Sequence, residues 1–433
     1  VHSWTSPAIS PLPASGLPLR LHDTRTGRLT PITPLTPGRA RLYVCGITPY
    51  DATHLGHAAT YHAADLMHRA LLDTGLEVEV AQNITDVDDP LFERAHRDQM
   101  DWRELAASQV ELFARDMEAL RVIAPHTYAS VSESMDGIVD VVQRLHARGR
   151  AYQVETPDAE GDDWYLDLSQ DGALGDVSGY SEQQMMAVFA ERGGDPERPG
   201  KRSPFDPLLW STERPGEPAW DAGVLGRGRP GWHVECVCIA ESSLGLPFDI
   251  QTGGSDLIFP HHDLSAAHAV ALGRGFATVY PHTGMVAHEG EKMSKSLGNL
   301  VFIHRLLDQG IEPAVIRLVL MAHHYRADWE WSQSEVDRAV ERLRDYREAA
   351  ALGGFHPRVV AALRQALRSD LDTPAALGVL DAWARTVRSA DPEPSAADDA
   401  AGESAAVDSA AGAEGPGDVL AAVDALFGID LRA

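Results

Sequence analysis

Three groups of residues in this 433-residue chain have side chains suited to chemistry. The first is His54-Leu55-Gly56-His57. Two imidazoles three positions apart share a helical face and can donate to phosphate or ribose oxygens. Gly56 between them lets a ligand approach the backbone closely. Taken alone, the pair also fits two ordinary surface histidines. The second group is Gly290-Glu291-Lys292-Met293-Ser294-Lys295-Ser296. A mobile, polar loop with cations and hydroxyls can close on a triphosphate and neutralise charge on the departing pyrophosphate. The plainer reading is an exposed turn. Lysine is otherwise nearly absent, however: Lys201, Lys292 and Lys295 are the only three in the chain.

The third group is Cys45, Cys236 and His261. Their spacing is far wider than that of a compact zinc knuckle. If two halves of a sheet bring them together, they make a Cys₂His site with an open fourth position. A soft substrate thiolate is a natural fourth ligand there. The alternative is two buried cysteines and a hydrogen-bonded histidine. Cys238 shares a face with Cys236 in a strand but not in a helix, so it stays a rival ligand. His262 would support the site from behind or lie on the surface. Thr252-Gly253-Gly254-Ser255-Asp256 is a glycine turn where Asp256 could take a ribose hydroxyl, or a purely structural turn. Trp232 could wall a small pocket or belong to the core.

These groups need a scaffold, and Arg41–Thr85 supplies its start. Leu42 to Cys45 reads as a buried strand, with a tight turn at Gly46. A helix follows from about His54 to Leu72, closed by Asp73-Thr74-Gly75, and then a strand from Val78 to Ile84. Strand, turn, helix, strand is a βαβ unit of an open parallel sheet. Ligands bind past the C-terminal strand ends of such sheets, near helix N-termini. Cys45, Thr48, His54, His57 and Thr85 fall at that edge, without the glycine-rich dinucleotide fingerprint.

Further along, helix is predicted from about Pro90 to Leu120 and over 131–147. Ala151 to Leu168 reads as a hairpin, and 170–230 as loop-rich. Strands return at Phe248-Asp249-Ile250 and Ala277 to Tyr280, and helices at 263–273, 311–322, 333–349 and within 352–390. Leu367, Leu371, Leu377, Leu380 and Trp383 are core candidates. The Ala/Ser/Asp/Glu/Gly/Pro tract 391–417 reads as a solvated or disordered linker, and 418–430 as a last amphipathic helix.

The expected organisation is an extended segment 1–40, a first catalytic half 41–128 and an inserted subdomain 129–200. A second catalytic half 201–290 follows, then the lysine loop and a helical stem 291–350, and a helical region 351–433.

Composition narrows the function classes. With 44% hydrophobic residues the chain can bury a sizeable core. No run is long and apolar enough for a membrane span, and no secretory signal is read at the N-terminus. Three cysteines suggest no disulfide framework and fit a reducing cytoplasm. A net charge of −27 argues against broad binding to a phosphate backbone.

Together the motifs resemble the class I aminoacyl-tRNA synthetases, and within them the cysteinyl enzyme. YVCGITPYDATHLGHA, QNITDVDD, PGEPAW, GRPGWHVEC, TGGSDLIFPHH and EKMSKSLGN match in order over roughly residues 41–300, and HHYRADWEW and SDLDTPAAL extend the likeness to about 385. The resemblance implies a Rossmann-like α/β nucleotide-binding domain with a parallel sheet, an inserted subdomain and a C-terminal helical region. It implies that His54, His57, Lys292 and Lys295 serve ATP binding and the adenylation transition state. Gly46, Thr53, Gly56, Gly254, Asp256, Met285, Val286, Ser294 and Ser296 would contact ATP or the adenylate. Thr48, Thr85 and Trp232 would line a cysteine pocket, and Cys45, Cys236 and His261 would hold one Zn²⁺. Mg²⁺ would accompany ATP.

Three departures set the chain apart from the cysteinyl synthetases. Ser265 stands where they carry a fourth zinc ligand, a Glu four positions after the His. Ile47-Thr48-Pro49-Tyr50 replaces their Pro-Thr-Val-Tyr. The acidic tail has no lysine beyond Lys295. In these respects the chain is similar to the cysteine ligases of the mycothiol pathway. That likeness implies substrates ATP, L-cysteine and glucosaminyl-inositol, no nucleic-acid or membrane partner, and a cytoplasmic monomer. A true cysteinyl-tRNA synthetase, or a noncatalytic nucleotide-binding paralogue, is the alternative.

Overall fold

The computed structural model describes residues 2–51, 53–157, 159–170, 173–293, 298–389 and 417–432. Its centre is the βαβ unit anticipated from the apolar runs. Strand β1 (Arg39–Ile47) leads through helix α1 (Leu55–Asp73) to strand β2 (Glu77–Ile84). Helix α2 (Trp102–Ala119) then leads to β3 (Thr127–Ser130). After a long excursion come helix α3 (Trp232–Leu244), β4 (Phe248–Gly254), helix α4 (Asp263–Ala271) and β5 (Ala277–Val279). The strands lie in the order β5-β4-β1-β2-β3, and every pairing is parallel. His282–Thr283 adds a short parallel partner to β4. The chain leaves β1 toward β2 on one side and returns to β4 on the other. The crevice at the C-terminal ends of β1 and β4 is therefore a topological switch point, where open α/β sheets bind ligands.

The excursion forms a sheet of its own. Ala151–Val154 and Asp163–Leu166 make the expected hairpin, but the sheet continues through Leu208–Thr212, Arg227–Pro230 and Trp220–Asp221. It thus runs past residue 200, where the insert was predicted to end. The later strands are short and flanked by Pro and Gly, so they carry a turn signature rather than an alternating one. Within the stretch read as loop there is also a helix, Glu182–Phe189, closed by a Ser181/Gln184 capping box. The segment from about Pro90 to Leu120 is broken in two, Asp89–Asp98 and Trp102–Ala119, because Gln99 is left-handed and Asp101 caps a new start.

Behind the sheet, helix α5 (Pro313–Met321) and the late helix α6 (Val419–Phe427) pack toward α1. The candidates Leu367, Leu371, Leu377, Leu380 and Trp383 are all buried. One ionic knot joins these layers. Asp65 in α1 accepts from Arg69 Nε at 2.8 Å, Arg317 Nη2 at 2.7 Å and the Ile123 N–H at 2.9 Å. Both guanidiniums also donate to carbonyls at the end of α6: Arg69 to Asp424 and Ala425, Arg317 to Phe427. All three side chains are buried. Positive charge at a helix C-terminus is favourable, and each donor meets an acceptor. No helix among the described residues is long and apolar enough to cross a membrane. Residues 391–416 of the predicted linker lie outside the described residues.

Candidate functional site: a Cys₂His cluster beside a helix N-terminus

Strand β1 loses register with β2 between Val44 and Ile47. Such bulges re-aim side chains at sheet ends. Gly46 lies inside the bulge, where a Cβ would sit 1.6 Å from the Asn83 carbonyl oxygen, so no side chain fits. Its N–H donates to Asn83 Oδ1 at 2.8 Å. Cys45, in the same bulge, places Sγ 3.2 Å from His262 Nε2.

The run Trp232 to Cys236, ambiguous by sequence, begins helix α3. Cys236 and His261 approach with Sγ and Nε2 3.3 Å apart. Cys45, Cys236 and His261 are all buried, and their ligand atoms lie within 4.8 Å of one another. The helix settles the rival ligand, because Cys238 faces away from Cys236. It packs so close to Gly137 that a Cβ there would lie 3.1 Å from its Sγ, and burial pushes its thiol up to about 12.

The cluster is held from behind. His261 Nδ1 is 3.0 Å from His233 Nδ1, and the Trp232 ring stacks on His261 at 4.3 Å. Donation from His261 Nδ1 to His233 leaves the Nε2 lone pair toward the sulfurs. His262 continues to His282 at 2.7 Å, which meets Thr24 Oγ1 at 2.7 Å. Burial holds His233 and His262 well below the usual histidine range, so both are neutral. The hydrogen bond with Cys45, and then burial, hold the Cys236 thiol well above its ordinary value. A cation between the two sulfurs would reverse that balance. The donor set fits a metal ion with three protein ligands. Ser265 does not join them, since its hydroxyl donates to the His261 carbonyl at 2.7 Å.

The two histidines of the first motif have different places. His54 is the N-cap of α1, and its Nδ1 accepts from the Gly56 and His57 N–H groups at 3.1 and 3.3 Å. That fixes the ring proton on Nε2. The two rings stack, with centroids 3.7 Å apart. At Gly56 a Cβ would press on the His54 ring at 3.0 Å. The first turn of α1 contains no acidic residue.

The lysine loop is anchored against this same turn. Beyond it, Val301 accepts from the Leu55 N–H at 2.8 Å, and the Ile303 N–H donates to the Thr53 carbonyl at 3.0 Å. Before it, Val286–His288 pairs with Glu291–Lys292, and His288 and Asn299 exchange hydrogen bonds of 3.0 Å across its base. Met285 adjoins this strand, and its N–H donates to Asp328. Ser294, Lys295 and Ser296 lie outside the described residues, as does the side chain of Lys292.

Thr48 and Thr85 sit at the ends of β1 and β2. Thr48 donates to Asp88 at 3.0 Å, and Thr85 accepts from Asn83 Nδ2 at 3.1 Å. Burial pushes the Asp88 carboxyl up to about 6. Gly254 ends β4, where a Cβ would meet Asp256 Oδ1 at 2.5 Å.

Sequence reasoning passed over His233, His282, Asp88 and Glu235. The signal for His233 was its i,i+3 spacing from Cys236, legible once that run is read as helix. Glu235 is fully buried, and neither carboxylate oxygen has a hydrogen-bond partner among the described residues.

Comparison with known proteins agrees with this geometry. Residues 31–341 match the model of the tRNA synthetases class I (C) catalytic domain. The L-cysteine:1D-myo-inositol 2-amino-2-deoxy-alpha-D-glucopyranoside ligase of Brachybacterium faecium is 72% identical over 432 residues, covering 100% of both chains. The chain belongs to this ligase family. The ligase of the same name from Streptomyces coelicolor is 50% identical over 436 residues, again covering 100% of both chains. Beyond the family, the fold resembles Mycobacterium tuberculosis methionyl-tRNA synthetase in complex with methionyl-adenylate. The TM-score is 0.60 at 16% identity, over 81% of this chain and 82% of that one. The chain therefore has the class I synthetase architecture: a parallel core sheet, an inserted sheet and C-terminal helices.

Proposed function

We infer that the chain activates L-cysteine with ATP and ligates the cysteinyl group to glucosaminyl-inositol, a step of mycothiol biosynthesis. The observation that carries this reading is the buried Cys45/Cys236/His261 cluster at the sheet's switch point, in a chain 72% identical to a ligase of that name.

In the first half-reaction the cysteine carboxylate attacks the α-phosphorus of ATP. The bond to the pyrophosphate oxygen breaks, and cysteinyl adenylate forms. No covalent nucleophile from the protein is needed; alignment and charge stabilisation do the catalysis. His54 Nε2–H, the His57 imidazole and the positive end of α1 would face the phosphates, with Lys292, Lys295 and Mg²⁺ together neutralising charge on the leaving pyrophosphate. Gly46, Thr53, Gly56, Met285, Val286, Ser294 and Ser296 would surround the nucleotide, and Gly254 and Asp256 its ribose. Thr48, Thr85 and Trp232 would enclose the amino acid.

Zinc held by Cys45, Cys236 and His261 would take the substrate thiolate as fourth ligand and lower its pKa. Ser265 donates to the His261 carbonyl, which supports a set of three protein ligands with the fourth place left for the substrate thiolate. In the second half-reaction the unprotonated amine attacks the cysteinyl carbonyl carbon. The bond to the AMP oxygen breaks, and the nitrogen sheds one proton. The three free, buried cysteines fit a reducing cytoplasm.

The test is product formation by the purified protein with ATP, cysteine and either glucosaminyl-inositol or cysteine-accepting tRNA. AMP and a cysteinyl amide with the aminosugar alone are expected. Charged tRNA, with no amide, would overturn the reading.

A further inference from the structure

The residues read as the cysteine pocket come from separate stretches of chain. Thr48 lies in the loop after β1, and Trp232 opens α3 just ahead of Cys236. The loop is held by the helix Asp89–Asp98. Thr48 Oγ1 donates to Asp88, the N-cap of that helix, at 3.0 Å. Tyr50 packs on the cluster of Leu91, Ala95, Leu105 and Ala106. Arg94 donates to Asp51 at 3.1 Å. The Trp232 side is fixed to the inserted sheet instead. Pro230 pairs with Trp210, and the Gly231 N–H donates to the Leu209 carbonyl at 3.1 Å. A Cβ on Gly231 would lie 1.9 Å from the Leu208 carbonyl oxygen, so no side chain fits at this turn into α3.

Arg229 spans the two sides. Its side chain is only 11% exposed. Nε donates to Glu217 of the inserted sheet's loop at 2.8 Å, and Nη2 donates to Asp89 in the first turn of the helix. The guanidinium lies 5.7 Å from the centre of the Phe92 ring on the same helix. Asp89 adjoins the carboxylate that takes the Thr48 hydroxyl, and Arg229 is three residues ahead of Trp232. One guanidinium therefore joins both walls of the pocket. Its planar fork can meet two carboxylates in fixed directions, which the point charge of an ammonium cannot.

We propose that Arg229 is a positioning residue for the amino-acid pocket: it latches the helix Asp89–Asp98 to the strand that leads into α3, and so presets the spacing of the Thr48 and Trp232 walls. The proposal rests on the ligase reading above. Walls that are already in place need no ordering when the substrate arrives. With the latch removed, that cost falls on cysteine binding and appears as a raised KM for cysteine. The Cys45/Cys236/His261 cluster does not depend on Arg229, because its three ligands are carried by β1, α3 and the segment before α4.

The experiment reads cysteine-dependent ATP–pyrophosphate exchange by the full chain. Arg229→Met keeps an apolar stem beside Phe92 and removes both ion pairs, while Asp89→Ala breaks the same latch from an exposed position. Expected in each is a rise of about tenfold in the cysteine KM, with about the same rise in the double variant. The ATP KM should stay within about twofold of the parent, and zinc content should not change. Arg227→Met, on the same strand but paired with Glu213, should leave all three at parent values. An unchanged cysteine KM in both single variants, additive rises in the double variant, or equal rises for ATP and cysteine would overturn the latch and leave the ligase reading intact. A parent enzyme without cysteine-dependent exchange would overturn both.

Discussion

Ser265 donates its hydroxyl to the carbonyl of His261, 2.7 Å away and one turn back along the chain. The residue at the expected fourth-ligand position thus supports the backbone of His261 instead of joining the Cys45/Cys236/His261 cluster. Ser265→Ala should therefore keep about one zinc per chain and its cysteine preference, and lose only about 1 kcal/mol of stability. Metal analysis with a denaturant titration checks this; loss of zinc would return Ser265 to the ligand set.

Cys236→Ser and Cys238→Ser should separate cleanly. The first removes a donor of the cluster, so zinc content should fall well below one per chain and the KM for cysteine should rise. The second alters a thiol packed against Gly137 and should leave both unchanged. The opposite pattern in metal content would mean that the helix is turned the other way.

Lys295→Ala should slow adenylate formation by about 10²–10³-fold with little change in cysteine binding, as when one transition-state donor is lost. Single-turnover ATP consumption at saturating cysteine reads the first quantity, and thermal stabilisation by cysteine the second. A variant that activates cysteine at the parent rate would remove the loop from the mechanism.

Asp116 on α2 is buried, and neither of its oxygens has a hydrogen bond of ordinary geometry among the described residues. Burial pushes its carboxyl up to about 7. The folded state therefore holds a proton that the unfolded chain releases near pH 4, and stability is lost as pH rises from about 4 to about 7. Asp116→Asn should gain on the parent across that window, by no more than about 4 kcal/mol. Unfolding midpoints at pH 5 and pH 8 measure it, and equal pH dependence in both proteins would rule it out.

Asp65 has the opposite sign. Burial alone would raise its pKa, but Arg69 and Arg317 outweigh it and hold the carboxyl below the usual range. Its stabilisation is present above about pH 4 and is lost as pH falls further. Asp65→Asn leaves two buried guanidiniums uncompensated and should cost about 3–5 kcal/mol. Denaturant unfolding at pH 7 would show a smaller loss if water reaches the pair.

The parallel sheet and the cluster were legible because their signals are local or chemically rare. Leu42–Cys45 is a continuous apolar run, as a strand buried on both faces requires, and Val78–Ile84 is carried by Val78, Val80, Ala81 and Ile84 despite Glu79, Gln82 and Asn83. Cys45, Cys236 and His261 stand out because cysteine is scarce. The inserted sheet was only half legible, since Arg227–Pro230 has a proline and a glycine where a central strand would alternate. His233 stayed hidden because Gly231-Trp232-His233-Val234-Glu235-Cys236 suits strand and helix alike, and only tertiary packing decides between them. The role of Ser265 is a hydrogen bond to the backbone, which no residue pattern announces.

The knot of Asp65, Arg69 and Arg317 also bears on when the protein can finish folding. Arg69 reaches carbonyls of α6 that lie 355 and 356 residues downstream. During synthesis the nucleotide-binding sheet emerges from the ribosome long before α6 does. Until then Arg69 of α1 and Arg317 of α5 lack their carbonyl partners in α6, so α1 cannot seal against its last layer. Assembly of the catalytic core is therefore completed only after translation reaches the end of α6. A nascent chain stalled before that point would hold a nearly complete sheet that is open at its back.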